Sequence, residues 1–189
     1  PEIFDPGEVR RLLTRLLDAL GFVHRHGLLH RDISPDNILF GPDGLPVLID
    51  FGAARDDAAR ATRILSRLHT VKDGYSPQEF YLAGCKQQRS SDLYSLAATM
   101  HHLIAGAPPE NSSVRLAAVA QGQPDPYVPL AGRIEGYDTT FLTAIDSCLS
   151  LFSRDRLESA EVWQAVIDPR RTAADAPSAA QVGPDLERK

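Results

Sequence analysis

The chain has 189 residues, 43% hydrophobic and 24% charged, with a formal net charge of -5, which is the profile of one soluble globular domain large enough to bury a core. The mildly acidic balance, with no continuous Lys/Arg stripe, argues against a nucleic-acid surface. The most apolar stretch, residues 93 to 105, is broken by His101 and His102 and falls short of the ~20 residues a bilayer span needs.

In chain order, Val9, Leu12, Leu13, Leu16, Leu17, Leu20 and Val23 recur at helical spacing over residues 7 to 26, with Arg10, Arg11, Arg15 and Asp18 opposite. Asp5-Pro6 starts this helix and Gly27 ends it. His24 lies on its last turn and reads as a packed, hydrogen-bonded core residue. Residues 37–40 and 46–49 are short apolar runs around the turn Gly41-Pro42-Asp43-Gly44, which together predict a hairpin. A second helix, apolar nearly all round, opens at Ser91 and runs to Ile104 with Gly106-Ala107-Pro108-Pro109 as its stop, and it is expected to be the buried axis of the domain. Further helices are predicted over 114–120, 139–152 and 159–167, the last with Ser159 as N-cap, Glu161 in its first turn and Trp163 facing inward. From residue 169 to 189 the chain is rich in Ala, Pro, Ser and charge and reads as a disordered tail or linker. Cys85 and Cys148 lack metal-ligand spacing and read as reduced thiols of a cytoplasmic protein. No secretory signal and no Met open the chain, so Pro1 reads as the start of a segment of a longer protein.

The chemistry concentrates around the hairpin. His30-Arg31-Asp32-Ile33-Ser34-Pro35-Asp36-Asn37 precedes it and Asp50-Phe51-Gly52 follows it. A tight hairpin brings Asn37 and Asp50 to one point, where one divalent cation can touch both, while Asp32 is placed to accept a proton. Taken singly, Asp32, Asn37 and Asp50 are ordinary turn and cap residues. Phosphoryl transfer is the chemistry that needs all three, because an in-line nucleophile must lose a proton and the spread negative charge needs Mg²⁺.

These two motifs, with Gly74-Tyr75-Ser76-Pro77-Gln78-Glu79 after them, resemble the catalytic loop, the Asp-Phe-Gly motif and the Ala-Pro-Glu element of the protein kinase superfamily, bacterial Ser/Thr kinases in particular. The resemblance implies a mainly α fold over residues 1–168, the C-terminal lobe of a kinase, with helices bundled around a buried central helix and a short β-hairpin carrying the motifs. It implies an ATP-dependent protein Ser/Thr kinase, with ATP and Mg²⁺ as cofactors, a protein as substrate, Asp32 as base, and Asn37 and Asp50 as metal ligands beside Ser34 in the nucleotide site. His30, Phe51, Gly52 and Asp92 become structural supports, Asp92 anchoring the catalytic-loop backbone. Glu79 and Arg156 are expected to form a buried ion pair. Arg31 is expected to receive a phosphate from the segment carrying Thr62, Ser66 and Thr70. Where the family carries a catalytic-loop Lys this chain has Ser34, and Lys72, in a chain whose other lysines are Lys86 and Lys189, is expected to reach in from the opposite side as a catalytic group. No Gly-rich loop, Lys-bearing strand or Glu helix comes before residue 1, so the missing N-terminal lobe is an expected partner and this segment alone is expected to be inactive. A pseudokinase or scaffold is the competing reading. A small-molecule phosphotransferase fits less well, since those proteins generally lack the Arg31-type residue and the Pro-x-Glu segment.

Overall fold

Apolar residues three and four apart on the first helix set the packing of everything that follows. The computed structural model describes residues 4–51, 71–82 and 84–170. Helix α1, Pro6–Arg25, is capped by Asp5, whose carboxylate accepts from Glu8 N at 3.0 Å. It buries Val9, Leu13, Leu16, Leu17 and Leu20 and leaves Arg11 and Arg15 in solvent. Burying each such side chain contributes about 1.5–3 kcal/mol.

The hairpin follows, β1 (Ile38–Phe40) paired antiparallel with β2 (Pro46–Leu48), Ile38 opposite Leu48. Its turn closes through Gly41 N to Leu45 O at 2.9 Å. Beyond the last paired residues, Ile49 N donates to Asn37 O at 3.0 Å, so the ends that carry Asn37 and Asp50 stay together.

Helix α2, Arg89–Ala105, is the buried axis: residues 90 to 101 are all buried. It opens two residues earlier than Ser91. Gln88 is the N-cap and Ser91 is its reciprocal partner, with Gln88 N donating to Ser91 Oγ at 3.1 Å. Gly106, at φ 79°, ends it. Helix α3 is Ser112–Ala120, capped by Asn111. Helix α4, Thr139–Cys148, is capped by Asp138 and stops short of the expected residue 152. The reason is Arg156, whose guanidinium takes the carbonyls of Ser150 and Leu151 at 2.7 and 2.8 Å, oxygens that a continued helix would turn away. Helix α5, Ala160–Ile167, starts at Ser159 as expected and buries Trp163.

The core is one apolar cluster shared by α1, α2, α4 and α5, with Leu48 of the hairpin reaching into it. Gln164 on α5 ties to Asp18 on α1 at 2.6 Å. Among the described residues no helix is long and apolar enough to cross a membrane. Cys85 is exposed and Cys148 buried, both as free thiols.

Candidate active site

Asp92, near the N-terminus of α2 and almost fully buried, organises the loop that carries the chemistry. Its Oδ2 accepts from His30 N at 2.9 Å and from His24 Nε2 at 2.8 Å, and its Oδ1 accepts from Arg31 N at 2.8 Å. Three donors satisfy a carboxylate that burial would otherwise penalise. They also hold Arg31 at φ 68°, a left-handed conformation unusual for a residue with a Cβ. Backbone strain of that kind persists where surrounding bonds over-determine it. His30 packs its ring on Phe51, with centroids 4.6 Å apart, and its Nε2 donates to Ile49 O at 3.1 Å, joining the loop to the far end of the hairpin. Burial pushes the His30 imidazole below its usual range, against the pull of Asp92, which suits a neutral ring whose Nδ1 accepts from Asp32 N.

Asp32 and Asn37 meet directly. The Asn37 amide nitrogen donates to Asp32 O at 2.6 Å and to Asp32 Oδ2 at 2.9 Å. With both amide hydrogens committed, Asn37 presents only its oxygen outward. Asp50, exposed and at φ 62°, stands one residue past the Ile49 rung. The donor set is thus a carbonyl oxygen and a carboxylate, hard ligands that suit Mg²⁺. Among the described residues no group of three or more His, Cys, Asp or Glu forms a metal cage.

Lys72 enters from the opposite wall. Its Nζ lies 2.8 Å from Ser34 Oγ, 3.4 Å from Asp32 Oδ1 and 3.8 Å from Asp36 Oδ2. Ser34 is fully buried, and its hydroxyl accepts from the ammonium, which has only donors to offer.

Glu79 and Arg156 form a bidentate ion pair at 2.7 and 3.1 Å, with both side chains buried. Ser91 Oγ adds a bond to Glu79 Oε1 at 2.7 Å, and the guanidinium lies 4.8 Å above the Tyr94 ring. This pair joins the segment after Lys72 to the start of α2 and the end of α4. Gly52, Thr62, Ser66 and Thr70 lie outside the described residues. The sequence reading missed the residues that hold the 72–76 loop, namely Asp73, Tyr81, His102, Asn111 and Ser112. They come from segments far apart in the chain, and no local pattern announces them.

Residues 2–166 match the protein kinase domain family. The serine/threonine-protein kinase PknA of Nostoc sp. is 39% identical over 113 residues, 57% of this chain and 20% of the relative. PknF of Mycobacterium tuberculosis is 40% identical over 111 residues, 55% of this chain and 23% of the relative. Among solved structures, the PpkA-294 apo form superposes with a TM-score of 0.72 at 36% identity, covering 87% of this chain and 55% of that one. The chain therefore spans about a fifth of those curated relatives and about half of the solved chain.

Proposed function

The chain belongs to the protein kinase family, and on that premise we propose that it is the catalytic lobe of a serine/threonine kinase that transfers the terminal phosphoryl group of ATP to a protein hydroxyl. The observation that carries this reading is the convergence on Asp32 of Asn37 at 2.9 Å and Lys72 at 3.4 Å. Asp32 accepts the hydroxyl proton as the substrate oxygen attacks. Lys72 faces the same point with the positive charge that Ser34 lacks, so negative charge developing on the transferred group meets an ammonium already in position. Asn37 and Asp50 are the residues that would hold Mg²⁺, which when bound neutralises charge on the phosphates. The substrate backbone lies along residues 72–76. ATP as donor argues for a cytoplasmic protein.

Arg31 sits beside the base, where a guanidinium takes a phosphate bidentately. Phosphorylation of Thr62, Ser66 or Thr70 would supply one, so a triple Ala variant of the full-length protein is expected to lose activation. A scaffold without catalysis is disfavoured by the intact set of Asp32, Asn37 and Asp50. The buried Glu79 and Arg156 pair favours a protein substrate over a small molecule. The test is transfer of labelled phosphate by the full-length protein to itself or to a generic protein substrate, with Asp32→Asn as control. No label on Ser or Thr in the parent defeats the reading.

A further inference from the structure

In this site the ammonium comes from a segment separate from the loop that carries the base. The base is tied to α2 through Asp92, whereas Lys72 rides on the 72–76 loop, and a lysine stem is flexible enough that its reach depends on where its backbone is held. That backbone is held from the side of residues 108–112. Asn111 Nδ2 donates to Asp73 Oδ1 at 2.7 Å and Tyr81 OH donates to the same oxygen at 3.1 Å. Ser112 Oγ donates to Ser76 O at 2.7 Å. Inside the loop, Lys72 N donates to Ser76 Oγ at 2.9 Å, and Lys72 O accepts from Ser76 N at 2.9 Å. Gly74, at φ 82°, presses so close to Pro108 that a Cβ there would stand 2.8 Å from the proline Cβ.

Resting on the kinase reading above, we propose that Asn111 is a positioning residue for phosphoryl transfer, acting through Asp73 to hold the Lys72 ammonium against Ser34 and Asp32. The bond from Asn111 is charge-assisted and falls on the residue next to Lys72. Losing it removes the shorter of the two side-chain bonds that Asp73 accepts, at the point where the stem begins.

Asn111 also caps α3, its Oδ1 accepting from Ser113 N at 2.9 Å. Asn111→Asp keeps that capping oxygen but sets a carboxylate against Asp73, so it breaks the latch and spares the helix. In the full-length protein this variant is expected to lower kcat about tenfold or more, the scale on which ångström misplacement acts, with KM for ATP and the melting midpoint unchanged. Adding Asp73→Asn puts the amide donor on the other side of the same pair and is expected to recover most of the loss. In a Ser34→Lys background, where the catalytic loop supplies its own ammonium, Asn111→Asp is expected to cost little.

A second readout does not depend on activity. Acylation of the Lys72 amine, followed by mass spectrometry, is expected to be slow in the parent relative to exposed Lys86 and to approach the Lys86 rate in Asn111→Asp. Parental kcat and parental Lys72 protection in Asn111→Asp overturn the proposal, and so does an equal loss in the Ser34→Lys background, which would mean the loop acts without Lys72. If the parent transfers no phosphate, the kinase reading falls, while Lys72 acylation in the same samples still decides whether Asn111 holds the lysine.

Discussion

At the scale of single residues the proposed kinase reading turns on Ser34, Lys72 and Asp32, which the structure brings together. An ammonium 2.8 Å from Ser34 Oγ and 3.4 Å from Asp32 Oδ1 is, on the kinase reading, a half-buried electrostatic donor, the kind of group whose loss costs about 10²–10³ in kcat. Lys72→Ala in the full-length protein is therefore expected to lower kcat by about 10², and adding Ser34→Lys should return part of it. Unchanged turnover at saturating ATP and substrate would assign Lys72 to the loop's solvation alone. Arg156 poses a stability question of the same kind. Its guanidinium is buried, paired bidentately with Glu79 and bonded to the carbonyls of Ser150 and Leu151, so truncation leaves a buried carboxylate without its partner. Arg156→Ala should cost about 3–5 kcal/mol in denaturant melts, whereas a surface pair would cost about 0–1 kcal/mol.

At the scale of elements, what the sequence made legible follows from local periodicity. The start of α1 at Asp5-Pro6, the hairpin around Gly41 to Gly44, the buried axis α2 and the Ser159 cap are all written within a few residues of where they act. His24 is legible in the same way, an inward helical position that the structure fills with a bond to Asp92. The end of α4 is not legible, because it is set by Arg156 taking carbonyls from the chain ahead of it. Neither is the contact of Asn111 with Asp73, which joins residues from separate loops. Packing also gives these elements a pH dependence that composition does not reveal. Burial holds the imidazoles of His30, under the catalytic loop, and His101, on α2, below their usual range. The unfolded chain then binds more protons than the folded one as pH falls through the ordinary histidine range, so stability present above it is lost on acidification. The urea midpoint should drop between about pH 8 and about pH 5.5, and less steeply in His101→Asn. A midpoint that is flat over that window would show that these rings protonate in place.

At the scale of the whole molecule, the described chain keeps one core but leaves apolar surface uncovered. Leu39, Phe40, Leu45 and Val47 of the hairpin are exposed, and beside them a groove of about 1690 Å³ runs between α1, the hairpin and the C-terminal half of α2. Contiguous apolar surface of this sort is a site of association. Expressed as these 189 residues, the protein should self-associate with concentration in light scattering, and Phe40→Asp with Val47→Lys should suppress it.

The same distribution of surface sets what this chain can hold. On the proposed reading Asn37, Asp50, Asp32 and Lys72 are the floor that would meet the metal and the transferred phosphate, and the 189 residues contain no Gly-rich loop to donate backbone N–H groups to the other phosphates. A nucleotide bound to a floor alone loses its translational freedom and gains few contacts in return. Calorimetric titration of these 189 residues with Mg²⁺ and ATP should accordingly give a Kd weaker than about 1 mM. Affinity near about 1 μM would require donors elsewhere in the chain, and would mean that the nucleotide is gripped by residues other than this floor.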